Sequence, residues 1–346
     1  MQQHVDIPGR FPANNQDRFN RHLRDLRLSV TDRCNFRCTY CMPREVFGPD
    51  HAFLPKQDIL KFEELARLAR IFVGLGVAQV RLTGGEPLLR RDIPALIAQL
   101  SRIDGLRDIA LTTNGSALVP LAQSLHDAGL RRLTVSLDAL NDEIFRAMND
   151  VDFPVHRVLM GIDAALEAGF APIKINMVVK RGVNEDQIVP MARHFRDERF
   201  ILRFIEYMDV GNSNGWRMDD VVSSRDIVAL LQQEFSLEPL APNYAGEVAR
   251  RYRHREGGEI GLIASVTQPF CSGCTRARIS ADGHFYTCLF ASEGHDLRAL
   301  LRSGMSDEKI ARAVQSIWQG REDRYSELRS AATVVQPKAE MSVLGG

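Results

Sequence analysis

The chain has 346 residues, of which 45% are hydrophobic, and its 44 lysines and arginines are matched by 44 aspartates and glutamates. That is enough apolar material for a buried core, which excludes global disorder, and enough length for one large α/β unit with a smaller one beside it. A formal net charge of zero argues against a nucleic-acid partner, because such proteins carry excess positive charge to neutralise phosphates.

In chain order, Met1 to Asn20 has no apolar run and contains Asp6 and Asp17, unlike a signal or transit peptide. Alternation of Leu26, Leu28 and Val30 predicts a first strand, and Phe62, Leu65, Leu68, Ala69 and Phe72 share one face of a helix. Apolar runs recur at 80–82, 109–112, 133–137, 173–179 and 202–207. Helical patterns near 92–102, 117–128, 155–168 and 186–196 separate them, with Asp92 placed as an N-cap. Six successive β–α units predict a parallel sheet with crossover helices. Six is short of the eight of a full barrel, so the expected α/β fold is an incomplete (β/α)6 barrel, a partial TIM barrel, over 25–215 after an N-terminal arm at 1–24.

Beyond about 215 the rhythm breaks. A helix near 224–235, a Gly/Arg-rich region, a Cys-containing hairpin turning at Asp282-Gly283, a helix near 306–319 and a polar tail predict a smaller C-terminal domain, 216–346. No apolar stretch approaches the roughly 20 residues that span a bilayer. The expectation is a cytoplasmic protein with no membrane partner, where cysteines are metal ligands or catalysts more often than disulfides.

All six cysteines fall into two triplets, Cys34, Cys38 and Cys41 (C-x3-C-x2-C) and Cys271, Cys274 and Cys288 (C-x2-C-x13-C). Thiolates this close repel unless a metal absorbs their charge. A structural zinc closes its shell with four ligands, whereas three leave a position open. A four-iron cluster on three cysteines leaves one iron free; zinc completed by a histidine stays open as the alternative, above all for the second triplet. His284 and His295 read as surface residues. Chemistry in barrels gathers where strands end, and Cys34, Gly84-Gly85, Thr112 to Gly115 and Ser136 to Asp138 fall at such places.

The segment Leu28-Ser-Val-Thr-Asp-Arg-Cys-Asn-Phe-Arg-Cys-Thr-Tyr-Cys41 resembles the signature of the radical S-adenosylmethionine superfamily. Leu82-Thr-Gly-Gly-Glu-Pro87 resembles that superfamily's glycine-rich strand end, which holds the methionine amino group of the cofactor. Phe270-Cys-Ser-Gly-Cys-Thr-Arg-Ala-Arg278, Cys288-Leu289 and Gly345-Gly346 are similar to the C-terminal motifs of the GTP 3′,8-cyclase family, which begins molybdenum cofactor synthesis. The resemblance runs from about Asp17 to the last residue. It implies two [4Fe–4S] clusters on the two triplets, S-adenosylmethionine bound by Tyr40, Gly85, Ser136 and Met208, and GTP bound by Arg27, Arg81, Thr112, Lys174, Arg276 and Arg278. It further implies catalytic roles for Arg276, Arg278, Gly345 and Gly346.

The activity so implied is hydrogen abstraction at C3′ of GTP by a 5′-deoxyadenosyl radical, attack on C8 and reduction. The resemblance also implies an external one-electron donor, a downstream pterin-forming enzyme and a homodimer. Taken alone, each arginine reads as a surface charge or ion-pair partner. Arg276 and Arg278 stand out because residues two apart on a strand face the same side, and Arg27 and Arg81 because an inward arginine on a barrel strand is costly without an anion. Two rivals remain at this stage: a radical enzyme acting on a peptide with an auxiliary cluster, and a zinc-binding structural module.

Overall fold

The computed structural model describes residues 15–244, 246–255, 257–329 and 337–345. Strands β1 (Asp25–Ser29), β2 (Gln79–Thr83), β3 (Asp108–Thr113), β4 (Arg132–Ser136), β5 (Ile173–Val179) and β6 (Phe200–Glu206) lie side by side in sequence order and run parallel. Between them run α1 (Phe62–Gly74), α2 (Ile93–Leu100), α3 (Leu118–Asp127), α4 (Asp142–Asn149), α5 (Val155–Glu167) and α6 (Ile188–His194). Helix α4 lies outside the predicted elements. Asn141 starts it by accepting the Ile144 N–H at 3.0 Å, and its Phe145 and Met148 are buried. Asp92 does precede α2, but in a left-handed conformation with no capping hydrogen bond. Pro94 at the second helical position removes one of the N–H groups that a cap would satisfy.

Strand alternation decides what the barrel holds. On β5, Ile173, Ile175, Met177 and Val179 are buried beneath the helices, while Lys174, Asn176 and Val178 are only partly covered. Strand β6 repeats the pattern, with Phe200, Leu202 and Phe204 outward and Ile201, Arg203 and Ile205 partly covered. A period of two thus sends one apolar set to the helix layer and leaves a mixed interior in which Lys174, Asn176 and Arg203 are the polar groups.

The C-terminal segment is joined to this barrel by hydrogen bonds. It adds α7 (Ser224–Leu231), β7 (Leu237–Leu240), β8 (Arg250–His254), β9 (Glu259–Ile263), β10 (Arg276–Ile279), β11 (His284–Tyr286), β12 (His295–Asp296), α8 (Leu297–Arg302), α9 (Asp307–Gln319), α10 (Tyr325–Leu328) and α11 (Met341–Leu344). One open sheet of twelve strands results, ordered β12-β11-β10-β1-β2-β3-β4-β5-β6-β9-β8-β7. Strand β10 pairs parallel with β1 and β9 parallel with β6, so one segment flanks the six-stranded core on both sides. The predicted hairpin forms, pairing Arg278 with Tyr286 and Ile279 with Phe285. Phe72 of α1 meets Phe285 edge-on at 5.4 Å, a contact of about 1 kcal/mol beyond its area. No helix among the described residues is long and apolar enough to cross a membrane.

Candidate active site: six cysteines and a row of arginines

Three neighbouring strands place guanidinium groups in register: Arg278 on β10 is opposite Arg27 on β1, which is opposite Arg81 on β2. Like charges directly opposite on a sheet destabilise it. Burial, with repulsion from Arg278, Arg276 and Arg81, holds Arg27 well below the usual arginine range. Burial and then Arg276 push Arg278 down to about 10, and burial and then Arg132 push Arg81 to about 10. Arg81 donates to the hydroxyls of Thr112 and Thr134, both at 3.1 Å. Arg203, pushed down to about 9 by burial and Arg81, donates to Asn176 Oδ1 at 2.9 Å. Such a concentration of inward cations, costly in the empty fold, is what a multiply charged anion requires.

These arginines wall a cavity of about 290 Å³ that all six cysteines also line. Tyr40, Gly85, Thr112, Ser136, Met208, Arg27, Arg81, Arg276 and Arg278 line it too. Lys174 faces an adjoining cavity of about 100 Å³ that shares Arg27, Arg81, Arg203 and Arg276 as its wall. Burial, with Arg203, Arg132 and Arg81 adding repulsion, pushes its amine down to about 7.

The first triplet sits on the loop after β1, locked to the end of β2. Gly85 N donates to Thr31 O and Glu86 N to Arg33 O, both at 2.8 Å. A Cβ at Gly85 would overlap the Arg33 carbonyl, and one at Gly84 would lie 2.5 Å from Thr31 O. Glycine is needed here because two backbones touch. Glu86, fully buried, ties in β3 by accepting from Thr113 Oγ1 at 2.8 Å, Asn114 N at 2.7 Å and Leu88 N at 2.9 Å. Burial nonetheless pushes its carboxyl up to about 7. Tyr40 O–H donates to Asp138 Oδ2 at 2.7 Å, Val178 N donates to Asp138 Oδ1 at 2.8 Å, and burial pushes Asp138 up to about 6.

The second triplet brackets the hairpin, with Cys271 and Cys274 before β10 and Cys288 after β11. Arg276 Nη2 donates to Cys274 Sγ at 3.4 Å, and its guanidinium covers the Phe270 ring at 5.0 Å. Burial opposes ionisation of Cys274, but Arg276 and Arg321 outweigh it and bring the thiol down to about 6. Burial raises Cys34 and Cys288 to about 11. All six cysteines are free, and among the described residues no three His, Cys, Asp or Glu side chains converge on one ion. Each triplet supplies three sulfurs, one fewer than the four ligands that close the shell of a structural zinc. Three partly buried thiols around an open cavity fit a multi-iron cluster, whose positive charge restores what burial takes from the thiolates.

The tail reaches this cavity. Gly345 O accepts from Arg278 Nη1 at 3.0 Å, and a Cβ at Gly345 would overlap the Thr83 side chain. Its anchor is polar: Lys338 binds Asp209 at 2.8 Å, and Glu340 accepts from Asn212 N at 3.0 Å and Ser213 Oγ at 2.8 Å. Gly346 lies outside the described residues. Arg203, Asn176, Glu86 and Asp138 are cavity-lining residues to which the sequence reading gave no role. Arg203 carried a usable signal, an inward cation on a barrel strand, the same that singled out Arg27 and Arg81.

The Radical SAM superfamily pattern matches residues 28–195, and the Molybdenum Cofactor Synthesis C pattern matches residues 200–327. A GTP 3′,8-cyclase of Staphylococcus aureus (strain bovine RF122 / ET3-1) is 51% identical over 96% of this chain and 98% of its own length. One of Acidothermus cellulolyticus (strain ATCC 43068 / DSM 8971 / 11B) is 55% identical over 91% of this chain and 88% of its own. The solved structure of Streptococcus suis SuiB bound to S-adenosylmethionine superposes with a TM-score of 0.57 at 15% identity, covering 88% of this chain and 67% of that one, a likeness of fold. With half its residues shared along nearly the whole length of such relatives, this chain belongs to the GTP 3′,8-cyclase family of the radical S-adenosylmethionine superfamily.

Proposed function

We propose that the protein converts GTP to (8S)-3′,8-cyclo-7,8-dihydroguanosine 5′-triphosphate, the first step of molybdenum cofactor synthesis. One observation carries the reading: two open thiol triplets and an in-register row of arginines face a single cavity. Cys34, Cys38 and Cys41 would hold one four-iron cluster, and Cys271, Cys274 and Cys288 the other. When bound, the first cluster and S-adenosylmethionine supply a 5′-deoxyadenosyl radical able to abstract hydrogen.

The chain's own residues position and shield. Tyr40, Gly85, Ser136 and Met208 border the cofactor's part of the cavity. Arg27, Arg81, Arg278 and Lys174, joined by Arg203, neutralise the triphosphate, and Thr112 orients the Arg81 fork toward it. Arg276 and the second triplet receive the guanine. Fixing reactants in this way removes about 7–11 kcal/mol from a barrier when the geometry is right. Gly345 closes the cavity against Thr83. Residues 25–215 thus serve the cofactor and 216–346 the second cluster. The cytoplasm, an external one-electron donor, a homodimer and a pterin-forming enzyme downstream complete the proposed setting.

Anaerobic, cluster-reconstituted protein given GTP, S-adenosylmethionine and dithionite should form the cyclised nucleotide. Release of 5′-deoxyadenosine without that product would favour a peptide substrate, and a colourless protein with stoichiometric zinc would refute the radical reading.

Lys174 makes GTP binding pH-dependent. Its amine sits at about 7 in the folded protein and near 10.5 ordinarily. The unfolded chain therefore binds the extra proton between these values, and stability of the nucleotide-free protein rises with pH across that window. A bound polyphosphate raises the amine again, so above pH 7 binding takes up a proton and GTP affinity weakens, at most about tenfold per pH unit. Calorimetry at pH 8 in buffers of different ionisation enthalpy should show this uptake, and Lys174→Met should remove it.

The tail gives a separate expectation. Gly345→Ala must displace it from Thr83 and cut formation of the cyclised nucleotide at least about tenfold, the scale of a small misplacement near reacting atoms. Uncoupled release of 5′-deoxyadenosine should persist, as chromatography of one reaction mixture can show for both products.

A further inference from the structure

Behind the second triplet lies a buried ionic group that neither the arginine row nor the tail uses. Arg21 and Arg321, 300 residues apart, share the carboxylate of Asp17, at 2.5 Å and 3.3 Å. The three side chains are 2%, 1% and 0% exposed. Asp17 is further fixed by accepting from Phe19 N and Arg21 N, both at 2.9 Å. Two guanidiniums against one carboxylate leave one positive charge in excess among these three groups. Asp323, the next acid, pairs with Arg321 at 3.3 Å but is 30% exposed, so water screens it more.

Both guanidiniums point at the cysteine loop. Arg21 Nη1 donates to Cys271 O and to Asp323 O, both at 2.8 Å, and Arg321 Nη1 donates to Cys274 O at 2.9 Å. Arg321 itself lines the main cavity and stacks on the Trp318 ring at 4.5 Å. Trp318, fully buried, donates its indole N–H to Arg21 O at 3.1 Å. Charge, packing and hydrogen bonds therefore fix the pair against the ligand loop from opposite ends of the chain.

A buried ion pair with one cation too many is an expensive way to hold a loop; apolar packing of equal volume is commonly as stable or more so. What the excess charge adds is a fixed positive potential at the sulfur ligands. Cluster potentials respond to net charge and to hydrogen bonding around the sulfurs, and such outer groups tune a metal site.

We propose that Arg21 and Arg321, balanced by Asp17, are positioning residues that set the reduction potential of the C-terminal cluster, the N-terminal arm being part of that cluster's housing. The inference rests on reading Cys271, Cys274 and Cys288 as cluster ligands. It assigns opposite effects to neighbouring residues. Neutralising a cation lowers the potential, because the more negative reduced cluster loses a stabilising charge; neutralising Asp17 raises it. A purely structural role has no reason to give opposite signs.

The test uses the full chain with Cys34, Cys38 and Cys41 replaced by serine, so that the C-terminal cluster alone reports. Iron content and an EPR-monitored redox titration are compared for this parent and for Arg321→Gln, Arg321→Lys and Asp17→Asn added to it. Expected are full iron occupancy, a midpoint shifted downward in the glutamine variant, one nearer the parent in the lysine variant and one shifted upward in the asparagine variant. Unchanged midpoints at full occupancy, or shifts of one sign for Arg321→Gln and Asp17→Asn, overturn the proposal. Should the glutamine variant lose its iron, the lysine and asparagine variants decide alone: an asparagine midpoint at or below the lysine one overturns it. A parent without iron overturns the reading of the triplet and the inference with it.

Discussion

Cys34→Ala should abolish cleavage of S-adenosylmethionine and lower the iron content from about eight to about four per chain, because the remaining pair cannot hold a four-iron cluster. The fold should survive. Cys34 is partly buried at the edge of the core, and its sulfur accepts long contacts, from Phe36 N at 3.4 Å and Asn114 Nδ2 at 3.8 Å. The loop that carries it is held independently by the backbone bonds from Gly85 and Glu86 to Thr31 and Arg33. Cys274→Ala makes the informative partner: equal iron loss, continued release of 5′-deoxyadenosine and no cyclised nucleotide. Iron analysis with chromatography of both products separates the two cysteines. Cleavage surviving in Cys34→Ala, or vanishing equally in Cys274→Ala, would contradict the division of labour between the triplets.

The parts of this site legible in the sequence are those carried by short-range pattern. Cysteine spacing gave the triplets, alternation gave the faces of β1 and β10, and Asp282-Gly283 gave the turn that brings Cys288 back. The order of the sheet was not legible, because nothing local tells that β9 and β10 add to opposite sides of one six-stranded core. Nor was the burial of Arg21 and Arg321. On the page they are two more arginines in a charged chain; only packing against Trp318 and sharing Asp17 makes them interior groups. Glu86 and Asp138 sat inside recognised segments without a role, since their hydrogen bonds to Asn114 and Val178 join strands distant in sequence.

Arg27→Ala should weaken GTP use and yet stabilise the nucleotide-free protein. Arg27 stands between Arg278 and Arg81 in register, and the Asp25 carboxylate only partly offsets burial and three repulsive neighbours. Removing it relieves that repulsion, so Tm without nucleotide should rise by about 2 °C, the size of a gain near 1 kcal/mol in a large domain. The same change deletes a charge-assisted contact to phosphate worth about 2–3 kcal/mol, raising KM for GTP about thirty- to a hundred-and-fiftyfold with a smaller loss in kcat. With GTP near one hundred times the parent's Kd, ligand binding adds about 2.7 kcal/mol to the parent and under about 1 kcal/mol to the variant. The ranking of the two melting temperatures should therefore invert on adding nucleotide. A variant less stable than the parent under both conditions by the same margin would mean that Arg27 is a packing residue, and the arginine row would lose its claim to be a phosphate site.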